Sequence, residues 1–236
     1  AKVKKYFGNI SRQDAPKPVD LTEPAKDGER RAKIDDKLAR LPRIDIAYRI
    51  PESGQPDAIA LSVAASILGG GGGGFGRGGG GSNTSRLYQT LVQDKELVVQ
   101  VSANTDRRAG PGMFHISATI RPGKNPKDVE GLISEEISKL HAEPVSAKEL
   151  QRVRNRLRLN AVQRLTVLSR AQALADDAAL YNDPNRINSE LDEELAVTAA
   201  DIQKAVKTYL VAANRVVIDT VPAGGGGVGR RQRPQN

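Results

Sequence analysis

Arg43-Ile44-Asp45-Ile46-Ala47-Tyr48-Arg49-Ile50-Pro51-Glu52-Ser53-Gly54-Gln55-Pro56-Asp57-Ala58-Ile59-Ala60-Leu61 is the stretch whose reading decides the fold. Ile44, Ile46, Tyr48 and Ile50 fall on one face of an extended chain, with Asp45, Ala47 and Arg49 on the other. That is the period-2 alternation of a half-buried strand. Pro51 to Pro56 turns the chain. The Ala/Leu/Ile/Val-rich run Asp57 to Leu68 then predicts a compact helix, with Gly69 placed to cap its end.

Immediately after comes a glycine tract, Gly69 to Gly74, Phe75-Gly76-Arg77, then Gly78 to Gly81. Neither helix nor strand tolerates so many glycines, so residues 69–81 form a long loop inside an otherwise ordinary globular sequence. Three readings stand: contact with or gating of a substrate, a length insertion without function, and nucleic-acid binding. The last draws on Phe75-Gly76-Arg77-Gly78-Gly79, which is like an Arg-Gly-Gly element, together with the Gly and Arg of the C-terminal tail. Against it, the unit is not repeated and the rest of the chain shows no nucleic-acid module.

Downstream, Ser82 to Ser85 supply capping side chains for a short helix whose apolar stripe is Leu87, Tyr88, Leu91 and Val92. Leu97 to Asn104 and Met113 to Arg121 both alternate, the second with Phe114, Ile116, Ala118 and Ile120 inward. The turn at Arg107 to Gly112 makes them a hairpin. Asn125-Pro126 opens a helix with buried Val129, Leu132, Ile133, Ile137 and Leu140. Ser146 and Glu149 have capping-box spacing and start a longer helix through Leu150, Val153, Leu157, Ala161, Leu165 and Leu168. This helix is expected to reach Tyr181, where Asn182-Asp183-Pro184 ends it. A short helical piece at Arg186 to Leu195, a second capping box at Thr198 and Asp201, and a last strand at Val216 to Val221 complete the pattern. Strands, one hairpin among them, with several helices predict an α+β fold: a largely antiparallel sheet covered on one face by helices.

The flanks read differently. Residues 1–10 end in Lys4-Lys5-Tyr6-Phe7-Gly8 and resemble the close of an amphipathic helix, the tail of a preceding domain. Residues 11–31, with Pro16, Pro18 and Pro24, have linker composition. The α+β domain is placed at 32–222, and 223–236 is a flexible basic tail with Gly224 to Gly227, Arg230, Arg231 and Arg233. The first residue is Ala rather than Met, which fits a piece of a longer precursor.

At 236 residues, 38% of them hydrophobic, the chain has enough apolar material for a real core. Aromatics are only 3% and Trp is absent, so that core rests on aliphatic side chains. With no Cys, disulfides, thiolate metal sites and thiol catalysis are excluded. No stretch reaches the roughly 20 apolar residues of a membrane-spanning helix. The net charge of +8 is spread over mixed Lys/Arg/Glu helix faces. Accordingly Glu135-Glu136, Glu193-Glu194 and the alternating Arg152, Arg154, Arg156 and Arg158 are read as solvated helix surface. His115, on the Met113/Ser117/Thr119 face of its strand, is read as a rim residue, and His141 as a helix C-terminal residue facing the dipole. The two histidines are far apart in sequence, and no metal ligand is assigned in this chain.

Several segments in this order resemble the pitrilysin/insulinase family of zinc metallopeptidases, including its mitochondrial-processing-peptidase-like members. They are Lys4-Lys5-Tyr6-Phe7-Gly8-Asn9-Ile10, Pro56-Asp57 before the Ala/Leu-rich helix, Leu68-Gly69-Gly70, and Ser85-Arg86-Leu87-Tyr88 with Leu91-Val92 and Asp94-Lys95. Ala196-Val197-Thr198 with Asp201-Ile202, Tyr209-Leu210 and Arg215 to Val221 fit its C-terminal homologous domain. The resemblance covers nearly the whole chain. It implies an α+β domain that pairs with a homologous catalytic domain bearing His-x-x-Glu-His, the zinc ligands being there. This chain has no such motif and no catalytic residue is assigned to it.

The resemblance therefore implies the non-catalytic half of such a peptidase, inactive alone. Its partner would be a catalytic domain, in cis upstream or in trans, and it would help to bind an extended polypeptide; a degenerate structural or assembly subunit is the alternative. A bacterial periplasmic or envelope location also follows from the resemblance alone. The Arg and Tyr, seven residues apart, with which the family's second domain often holds substrate correspond here to Val92 and Val99, which cannot donate hydrogen bonds. Candidate substrate-binding residues are Phe75 and Arg77 in the glycine tract and Arg86 and Tyr88 after it.

Overall fold

The structure is a computed structural model that describes residues 2–11, 19–21, 28–70, 83–106, 108, 110–163 and 166–223. Most of the expected linker, the interior of the glycine tract with Phe75 and Arg77, and the tail beyond residue 223 lie outside the described residues. A short helix α1 (Lys2–Phe7) buries none of its side chains. Five strands follow the chain as β1 (Arg30–Asp36), β2 (Arg43–Glu52), β3 (Val98–Thr105), β4 (Pro111–Ile120) and β5 (Arg215–Pro222), and they form one sheet in the order β1-β5-β2-β4-β3.

The pairs β2/β4, β2/β5 and β3/β4 are antiparallel, and β1 runs parallel to β5. The largely antiparallel α+β sheet expected from the alternation is therefore present, with one parallel pair at its edge. The register aligns inward residues: Ile46 lies opposite Ile116 and Val217, and Tyr48 opposite Phe114. The Tyr48 and Phe114 rings meet edge-on with centroids 6.4 Å apart, the preferred geometry for an aromatic pair. Ile44, Ile46, Ile116, Ala118 and Ile120 are fully buried on this face.

Helices cover it. The first, α2 (Pro56–Leu68), starts with proline at its first turn and is apolar nearly all round, so it is buried on most of its surface. It packs against β3 on one side and on α4 (Ala147–Gln163) and α7 (Ala199–Tyr209) on others. Burying side chains such as Leu61 and Leu68 stabilises the fold by roughly 1.5–3 kcal/mol each before entropy is counted. Helix α3 (Pro126–Ala142) is capped by Asn125, which accepts from the Lys127 N–H, and lays Val129, Ile133, Ile137 and Leu140 on the sheet. The capping boxes at Ser146/Glu149 and Thr198/Asp201 both form.

The long helix expected to reach Tyr181 is two helices, α4 and α5 (Val167–Tyr181). Thr166 is the reason at the start of α5: its backbone is extended, and its hydroxyl accepts from the Ser169 N–H, so it serves as an N-cap instead of continuing a helix. The stripe that continued in sequence does not continue as core, and Val167 and Leu168 are 87% and 78% exposed. The helical piece read at 186–195 is a 3-10 turn (Pro184–Asn188) followed by α6 (Glu190–Ala196).

Candidate functional site

The described residues on either side of the glycine tract lie beside α2, Thr84 and Ser85 bordering the same cavity as Ser66. Gly69 ends that helix so close to β3 that an added Cβ would lie 2.0 Å from the Ala103 nitrogen, an approach only glycine permits. Gly70, with a positive φ of 77°, then turns the chain away. The chain returns at Asn83-Thr84. Ser85 is buried, and a π-helical segment (Tyr88–Asp94) anchors the return through Leu87 and Leu91, both fully buried.

Arg86 and Tyr88 diverge from this anchor. Arg86 reaches across to the first turn of α4, where its Nε and Nη2 donate to the two oxygens of Glu149 at 2.7 and 3.1 Å. Glu149 also accepts from the Ser146 N–H and hydroxyl, at 3.1 and 2.7 Å. The Arg86 hydrogen bonds, opposed by burial and joined by those from Ser146, hold the Glu149 carboxyl at about 2, well below its ordinary value. Tyr88 is half-buried and packs against the core instead. Val92, which the resemblance sets in place of the family's Arg, also packs on the core, whereas Val99 is 52% exposed where β3 shifts register against β4.

A cavity of about 230 Å³ is bounded by Ser66, Thr84, Ser85, Glu149, Arg152 and Arg156. A larger cleft of about 510 Å³ is also lined by α2, through Ala58, Ile59, Ser62 and Ser66. The tip of the β3/β4 hairpin contributes Asn104 and Asp106 to it, α4 and α5 contribute Asn160 and Arg170, and Tyr181 and Arg186 close one end. The Arg186 guanidinium sits 4.4 Å from the Tyr181 ring centre and pairs with Glu193 at 2.8 Å, which fixes that end. Among the described residues β3 has a neighbour only on its β4 side, so its outer edge runs unpaired into this cleft at Asn104 and Thr105.

Of the side chains read from sequence as solvated, Arg154 and Arg156 are partly buried and Glu136 is buried. Arg154 Nη2 donates to the Val197 carbonyl at 3.0 Å, and Arg156 Nη2 to the Ser66 carbonyl at 2.7 Å. Glu136 is 4% exposed, and accepts from the Thr90 hydroxyl at 3.1 Å and from Lys139 at 2.6 Å. Alternating charge along a helix carries no signal for this, because apart from Lys139, three residues from Glu136, the partners come from distant segments that happen to present a carbonyl or hydroxyl there.

The histidines sit apart, as does any prospect of a metal site built on them. His141 Nε2 is 3.2 Å from the Val206 carbonyl on α7, and His115 Nε2 is 3.4 Å from Asp45 on the outward face of the sheet. Burial raises the Asp45 carboxyl, but hydrogen bonds from His115, Ser117 and Arg43 bring it below its ordinary value overall. Among the described residues no three His, Cys, Asp or Glu side chains converge, so the donor set here does not fit a zinc ion. No helix among them is long and apolar enough to cross a membrane.

The family profile of the peptidase M16 inactive domain matches residues 1–157. No curated protein matches the chain. Among solved structures, a protease from Helicobacter pylori superposes with a TM-score of 0.80 at 20% identity, over 93% of this chain and 51% of its own. A putative zinc protease from Bordetella pertussis Tohama I matches at 0.65 and 26% identity, over 78% of this chain and 95% of its own. The inactive peptidase domain of a putative zinc protease from Bordetella parapertussis matches at 0.67 and 24%, over 84% and 96%. This chain thus spans about half the length of the Helicobacter protease.

Proposed function

We propose that this chain, which belongs to the peptidase M16 inactive-domain family, is the non-catalytic half of a zinc metallopeptidase. It closes over a catalytic domain that carries the zinc and helps to hold an extended polypeptide for hydrolysis. The observation that carries this reading is the cleft of about 510 Å³ bordered by the end of β3 at Asn104 and Thr105, beyond which no further strand lies among the described residues. An extended peptide satisfies its backbone groups by adding to such an edge, while alternate side chains reach the adjoining cleft.

Val92 and Val99 supply no hydrogen bond to a reacting carbonyl, so the contribution is binding rather than transition-state stabilisation. Phe75 and Arg77 contact the bound chain from the glycine tract, and Arg86 holds the base of that tract through Glu149. The test mixes the chain with a His-x-x-Glu-His-bearing catalytic half and follows cleavage of a fluorogenic peptide. Activity well above that of the catalytic half alone is expected, and the double variant Phe75→Ala/Arg77→Ala should raise KM. No gain on mixing would leave the chain as a structural subunit, the reading that the two valines would then favour.

A further inference from the structure

The smaller cavity has a charge imbalance that its own residues do not relieve. Glu149, its one carboxylate, has both oxygens committed to Arg86 and Ser146. Arg156 and Arg152 face the same space without a carboxylate partner among the described residues. Arg156 spends one N–H on the Ser66 carbonyl, and Arg152 makes only a 3.4 Å contact to the Lys148 carbonyl. A half-buried guanidinium with unused donors is costly, and burial alone lowers the Arg156 pKa from its ordinary value.

Ser85 is an independent sign. It lines the same cavity, is 3% exposed, and its hydroxyl makes no hydrogen bond among the described residues. Buried hydroxyls are nearly always partnered, so an orphan on a residue that lines the same cavity as two arginines without a carboxylate partner marks a place where a ligand supplies the missing acceptor. A carboxylate has the right chemistry: planar, anionic, and able to accept from an arginine fork and a hydroxyl together.

We infer that this cavity is a carboxylate subsite, in which Arg156, Arg152 and the Ser85 hydroxyl bind an acidic side chain or the C-terminal carboxylate of a polypeptide. The inference rests on the polypeptide-binding reading above and adds a sequence preference to it. The site lies beside the described residues that follow the glycine tract, and Ser66 of α2 borders both it and the larger cleft.

Binding of a fluorescein-labelled decapeptide with one glutamate is measured by anisotropy, beside its glutamine analogue and the C-terminal amide of each. The full chain is expected to prefer a carboxylate-bearing peptide by about tenfold. Loss of preference on Glu-to-Gln exchange identifies the side chain, and loss on amidation identifies the terminus. Arg156→Gln keeps a donor for the Ser66 carbonyl but removes the charge and should abolish the preference. Arg152→Gln, at an exposed position, should weaken it even if the first variant does not fold. Equal affinity of the intact chain for all four peptides, or a preference that survives both variants, overturns the inference while leaving polypeptide binding in place. If no peptide binds, the polypeptide reading fails. The subsite is then judged by titrating N-acetylglutamate against the backbone amide resonances: saturable shifts at Thr84 and Ser85 that vanish in Arg156→Gln support it, and their absence overturns it.

Discussion

Arg86 grips Glu149 with two parallel hydrogen bonds of 2.7 and 3.1 Å, across 63 residues of sequence. The pair ties the return of the glycine tract to the capping box of α4, and Glu149 serves both connections at once. A single carboxylate thus sets where the tract re-enters and where the helix behind it begins.

Arg86→Ala is expected to lower the unfolding free energy by about 1–2 kcal/mol near neutral pH, as a partly exposed bidentate pair is lost. The folded-state pKa of Glu149 is depressed to about 2 from 4.5. Its stabilisation is therefore fully present above about 4.5 and lost as pH falls toward 2. Urea unfolding should show the gap between wild type and variant closing across that window; a gap independent of pH would mean that the pair contributes little.

Gly69→Ala should destabilise by about 3 kcal/mol, because the new methyl meets the Ala103 backbone at 2.0 Å and neither segment can withdraw. Gly131→Ala is the contrasting case. It is exposed within α3 with nothing within 4 Å of an added methyl, so helix propensity should raise stability by about 0.5–1 kcal/mol. Thermal unfolding of the two variants should move in opposite directions.

The edge strand β1 is exposed along nearly its whole length. Beyond its ladder with β5, it is held by Arg31, which pairs with Glu130 of α3 and with Glu29, while Arg215 joins the same carboxylates at 3.0 and 2.6 Å. Glu130→Gln should raise hydrogen exchange in residues 30–36 by about tenfold and leave β2 unchanged. Equal protection in both proteins would show that the ladder alone holds the strand.

Thr166→Ala removes the side-chain cap that starts α5. A loss of about 1 kcal/mol is expected, with faster exchange confined to the first turn of α5. Effects spreading into α2 would contradict the local origin assigned to the break.

Features set by near neighbours were legible from the chain. The alternation of Ile44, Ile46, Tyr48 and Ile50 identified the buried face, and Ser146/Glu149 and Thr198/Asp201 marked helix starts. Phe114, Ile116, Ala118 and Ile120 were recognisable as core. The same local grammar misread Leu168 as core, because periodicity does not show whether a neighbouring element arrives to cover it. The candidate site was less legible. Arg86 stood out in the family resemblance, yet its partner Glu149 was read only as half of a capping box, and Arg156 was read as solvated.

The sequence by itself determined the α+β class, the inward faces of β2 and β4 and the helix caps at Asn125, Ser146 and Thr198, since these depend on spacings of two to four residues and on short-range backbone hydrogen bonds. Its ordered segments also carried the family resemblance. Tertiary structure alone decided the strand order β1-β5-β2-β4-β3, the burial of Glu136, the partial burial of Arg156, and the cavity that Arg152 and Arg156 line together with Ser85, whose hydroxyl has no partner among the described residues. The physical reason is that desolvation and pairing depend on which remote carbonyls and carboxylates the folded chain brings alongside, and no local spacing encodes that.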